Sequence, residues 1–166
     1  MDQKHSSLVG MGYVVAAVLV VFPLVDLLAN VVPITPERIN WRYGSYGLAS
    51  GFVLTVVLGM GLAFAMAAAS GDRTVIRVLA VISVLGGLGL IVTGGIYVLD
   101  ALQLRDTVSN EARSSFLIGT VKALFKNGIS GLALIWIAWA GWRGSAAAKG
   151  ETQKRTKEKP LVSGVS

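Results

Sequence analysis

"SYGLASGFVLTVVLGMGLAFAMAAA", Ser45 to Ala69, runs without a single charge and exceeds the roughly 20 apolar residues that a helix needs to cross a bilayer. Three further stretches resemble it. Leu8 to Val32 is interrupted only by Pro23, Asp26 and Asn30, and Val75 to Leu102 has Arg77 near one end and Asp100 near the other. In the last, the purely apolar part, Ile129 to Trp142, would be only about 21 Å long as a helix. That is too short for about 30 Å of hydrocarbon. It must borrow from Phe116 to Gly128, which carries Lys122 and Lys126 towards lipid. The chain therefore reads as an all-α integral membrane protein, four antiparallel transmembrane helices spanning about 8–32, 45–69, 75–102 and 118–142, with a basic polar tail over 149–166.

Composition agrees. Of 166 residues, 54% are hydrophobic and 14% charged, against about 45–50% and about 25% in soluble domains. The first run is too long for the apolar core of a signal peptide and reads as a retained helix. An even number of spans leaves both termini on one side. With the N-terminus inside, that side collects Lys4, Arg73, Arg77, Arg143, Lys149, Lys154, Arg155, Lys157 and Lys159, while the other holds Arg38, Arg42, Arg105 and Arg113. Basic residues collect on the cytoplasmic side. The expectation is a bacterial inner membrane protein with both ends in the cytosol. The tail should lack regular structure and be drawn to anionic lipid. The net charge of +6 is a membrane-surface signal here, and nucleic acid is not expected as a partner.

Upstream of the uncharged run stands "NWRY", Asn40 to Tyr43. Trp41, Tyr43 and Tyr46 suit headgroup depth and Arg42 suits a lipid phosphate. The same cluster has the composition of a docking epitope. Pro33 and Pro36 should bend the chain between the first two spans. Gly47, Gly51 and Gly59, with Ala63 and Ala67, repeat at intervals of four or its multiples and flatten one face of the second helix. Gly86, Gly87 and Gly94 do the same for the third. Close backbone approach drives helix association in lipid, so the second and third helices should pack together, or the same faces could form a homodimer seam. "GGLGLIVTGG", Gly86 to Gly95, lacks the features of a nucleotide loop and reads as packing.

Asp26, about 9 Å inside the outer end of its span, needs a partner, a proton or water. Lys122 and Lys126 enter from that side and share a helical face, so an intramembrane pair with one of them is expected, against the alternative that both lysines snorkel outward. Leu117, Val121, Leu124 and Phe125 lie opposite these lysines, as a surface helix or as the polar-faced beginning of the fourth span. Trp136, Trp139 and Trp142 step along the other half of that span, Trp142 as an anchor and Trp136 facing lipid, another subunit or a flat cofactor, with packing the simpler reading.

Cysteine is absent and His5 is the sole histidine, which excludes thiolate chemistry, Cys- or His-clustered metal sites and bis-His haem. No catalytic residue, metal or cofactor is assigned, and no residue argues for a bound quinone, pigment or lipid. The expected function is a non-enzymatic accessory or structural subunit, its partners the bilayer and other membrane subunits or further copies of itself. The second class is a small proton-coupled transporter or channel using Asp26. The third, a lipid- or quinone-linked membrane enzyme, lacks paired carboxylates and a nucleophile with a base.

Overall fold

A computed structural model describes the backbone of residues 3–158 and the side chains of residues 7–143. It contains four helices: α1 (Gln3–Val31), α2 (Ile39–Ser70), α3 (Arg73–Leu104) and α4 (Arg113–Glu158). Each includes a segment long and apolar enough to cross a membrane. At 32 residues, α2 and α3 are each about 48 Å long, more than the hydrocarbon requires. In a bilayer of ordinary thickness, helices of this length would carry their terminal turns to headgroup depth.

The connections follow from local chemistry. Between α1 and α2 lie Pro33 and Pro36, where the helical ladder cannot continue. Between α2 and α3, Gly71 takes the left-handed conformation at φ 70°. The Gly71 and Asp72 amides return to the Ala68 and Ala67 carbonyls at 3.2 and 3.1 Å, closing α2 in the manner that favours glycine. Asp72 then accepts from the Thr74 and Val75 amides at 3.0 and 3.2 Å, opening α3 with an N-cap.

The helices α2, α3 and α4 pack mutually, whereas α1 lies close to α2 alone among the described residues. Phe64, Ala67, Ile76, Ala80 and Ala138 form one buried cluster, and Tyr46, Tyr97 and Ala123 another towards the opposite end. Large apolar side chains point outwards, Phe22, Leu85 and Phe125 each being at least 65% exposed. In water such surface would be an aggregation liability; in lipid it is the ordinary exterior.

Close approach is distributed differently from the expected α2–α3 seam. A Cβ on Gly59 would meet Leu19 and Val20 of α1 at 2.9 and 2.8 Å, and one on Gly87 would meet the Gly131 carbonyl of α4 at 2.7 Å. Gly94 receives the Tyr46 hydroxyl of α2, at 2.8 Å from such a Cβ, and Gly86 makes only ordinary contact with Leu134. Gly47 and Gly51 have nothing within 4 Å, so they are open positions rather than packing positions within the chain. Spacing defines a flat face but not which neighbour takes it.

The segment from Lys149 onwards also differs from the expected irregular tail, because α4 continues to Glu158. Ala146, Ala147 and Ala148 favour helix, and Pro160 lies just past its end. Residues 1, 2 and 159–166 lie outside those described, as do the side chains on which the tail's attraction to anionic lipid depends.

Candidate functional site

Arg42 and Asp100 lie at nearly equal sequence distances from the α2–α3 turn, so the antiparallel pair brings them to one level. Arg42 Nε donates to Asp100 Oδ2 at 2.9 Å and Nη2 donates to Oδ1 at 2.6 Å, while Nη1 donates to the Pro36 carbonyl at 2.9 Å. The carboxylate is 2% exposed and the arginine side chain 32%, so the pair is sealed on one side and reaches the surface on the other. Two parallel bonds fix both distance and orientation.

Beside this pair four rings stack in series. Phe116 of α4 lies 5.2 Å from Tyr43 of α2, Tyr43 lies 4.7 Å from Tyr97 of α3, and Tyr97 lies 4.4 Å from Tyr46 of α2. Thr120 Oγ1 donates to the Phe116 carbonyl at 2.8 Å. Its single proton is thereby committed, so in its 2.7 Å contact with Tyr43 the phenol is the donor. One helical turn or so deeper, Asn127 Nδ2 donates to the Tyr46 carbonyl at 3.3 Å. Asn127 Oδ1, Ser130 Oγ and Ser83 Oγ are buried without a hydrogen-bond partner among the described residues. The site is thus a polar and aromatic knot joining α2, α3 and α4.

The expected interfacial anchors therefore turn inward. Tyr46 is 8% exposed, Tyr43 and Arg42 belong to the knot, and the Trp41 indole N–H donates to the Val31 carbonyl at 2.8 Å. Val31 ends α1, where carbonyls lack helical partners, so Trp41 ties the peripheral helix to α2. Trp136, Trp139 and Trp142 remain outward, 66%, 51% and 58% exposed, and the Arg143 guanidinium sits 3.9 Å over the Trp139 ring.

Asp26 does not meet Lys122 or Lys126. It lies on α1, which does not reach α4, and Asn30 donates to its Oδ1 at 3.2 Å and to its carbonyl at 2.8 Å. Both lysines are exposed. Helix order separates these groups. The face of α4 that is buried is Thr120, Ala123, Asn127, Ser130, Gly131, Leu134 and Ala138, while Val121 and Phe125 face outwards. Asp100 was readable only as an end-of-span charge; its equal distance with Arg42 from the turn was the signal that could have paired them.

Both Asp100 oxygens are committed to Arg42, which disfavours a role as a general base. Among the described residues, no group of three or more His, Cys, Asp or Glu could hold a metal ion. Comparison of the chain with models of protein families, with curated proteins and with solved structures finds no match.

Proposed function

We propose that the protein is a non-enzymatic subunit of a membrane assembly, seated in a bacterial inner membrane with both termini in the cytoplasm. The observation that carries this reading is the outward stripe of Trp136, Trp139 and Trp142 on α4, in a bundle whose buried aromatic and charged groups bind its own helices together. Tryptophan and arginine recur among residues that dominate binding energy. The basic residues gathered at the end with the α2–α3 turn support the orientation. Extraction from the native membrane in mild detergent should yield a larger complex that Trp136→Ala with Trp139→Ala disperses. A chain migrating alone would overturn the assignment.

A second reading, a small proton-coupled transporter or channel, draws on the three unpartnered polar atoms of Ser83, Asn127 and Ser130 along the bundle interior. Its acid was expected to be Asp26, a half-buried residue of the peripheral helix. Proton flux in proteoliposomes that falls with Asp26→Asn would favour this reading over a scaffold. Flux indifferent to that change removes Asp26 from it.

A further inference from the structure

Between α2 and α4, at the end with the α2–α3 turn, lies a second feature that the knot does not use. It is a cleft of about 560 Å³, with Gly61, Phe64 and Ala68 along one wall and Trp136, Ile137 and Gly141 along the other. Arg73 stands at its mouth. The adjacent carboxylate, Asp72, is engaged by the first amides of α3, and Arg73 has no ion-pair partner among the described residues. An apolar slot lined by one cation that is unpaired among the described residues matches an amphiphile whose charged group is anionic.

Another interhelical groove gives a contrast. Near Arg42, between α2 and α3, a groove of about 320 Å³ is also apolar along most of its length. Its cation is neutralised by Asp100 through two hydrogen bonds, so it offers no net charge to an anion. Of these two grooves, only the one at the Arg73 end offers a net charge to an anionic headgroup.

We infer that the α2–α4 cleft binds one anionic glycerophospholipid, its phosphodiester on Arg73 and an acyl chain between Phe64 and Trp136. A free phosphate would meet the arginine but leave the apolar slot unfilled, and a zwitterionic lipid would fill the slot but bring its own cation to the rim. Gly61 provides a means of blocking the cleft, since it lines the slot and a Cβ there has nothing within 4 Å.

The test uses the full chain extracted from vesicles of equal phosphatidylglycerol and phosphatidylcholine, with retained lipid counted by native mass spectrometry. Wild type should keep about one phosphatidylglycerol per chain, preferred about fivefold, as expected from one cation worth about 1 kcal/mol at a lipid surface. Arg73→Gln should abolish the preference while lipid is still retained. Gly61→Phe should remove the retained lipid, and Gly47→Phe, in equally open space at the other end, should leave it in place. Equal retention of the two lipids by wild type, or an unaltered preference in Arg73→Gln, overturns the proposal. So does displacement by inorganic phosphate alone, or a dimer that Gly61→Phe dissociates without any lipid discrimination, which would assign the cleft to a second copy.

Discussion

At the Arg42 end, α2, α3 and α4 meet through a bidentate ion pair, four stacked rings and hydrogen bonds from Tyr43 and Asn127. At the turn end the same helices meet through Phe64, Ala67, Ile76, Ala80 and Ala138, with Gly141 admitting the edge of the Phe64 ring. Directional groups at one end fix rotation as well as distance. Small apolar residues at the other permit approach but prescribe little about angle. In lipid, where the apolar exterior contributes no drive to associate, that division lets one end set register and the other set closeness.

The comparison can be broken most forcefully at the ion pair. Arg42→Met should strand the buried Asp100 carboxylate and lower the unfolding midpoint in detergent by roughly 10 °C. Asp100→Leu should cost less, because the half-exposed arginine can turn to water, and the double change should recover much of the loss. If Arg42→Met and Asp100→Leu cost the same and simply add, the pair does not organise this end.

Close approach comes next. Gly87→Ala forces a methyl against the Gly131 carbonyl, which as backbone cannot swing aside, and should cost about 1–3 kcal/mol, or roughly 5 °C. Gly61→Ala meets open space and should change little; the difference in thermal midpoint between these two alanines measures the packing itself. Tyr43→Phe keeps the stack and removes the bond to Thr120, an interhelical contact of a kind worth about 0.6 kcal/mol in membranes. The expected fall is about 2 °C.

The smallest effect belongs to the pair that does not form. Asp26→Asn should move the midpoint by roughly 1 °C or less and show no coupling with Lys122→Met in a double-mutant cycle. Measurable coupling would place α1 against α4 and overturn the observed helix order.

Much of this was legible along the chain. The Ser45–Ala69 run and its three companions foretold four long apolar helices, and Pro33 and Pro36 foretold the bend. The candidate site was legible only in its ingredients. Trp41, Arg42, Tyr43 and Tyr46 drew notice for their types, yet their direction depended on partners distant in the chain: Val31 for Trp41, Asp100 for Arg42, Thr120 for Tyr43 and Gly94 for Tyr46. Gly94 stood out as a small residue, but nothing local shows that a tyrosine from another helix takes its space.

By itself the sequence determined the number of helices and their apolar character, because run length and turn chemistry act between neighbours along the chain. The tertiary structure alone decided which helix touches which, leaving α1 beside α2 and Asp26 remote from Lys122 and Lys126. The physical reason is rotational: depth along a helix follows from residue number at a fixed rise, whereas the direction of a side chain around the axis acquires meaning only once a neighbouring helix has taken its place.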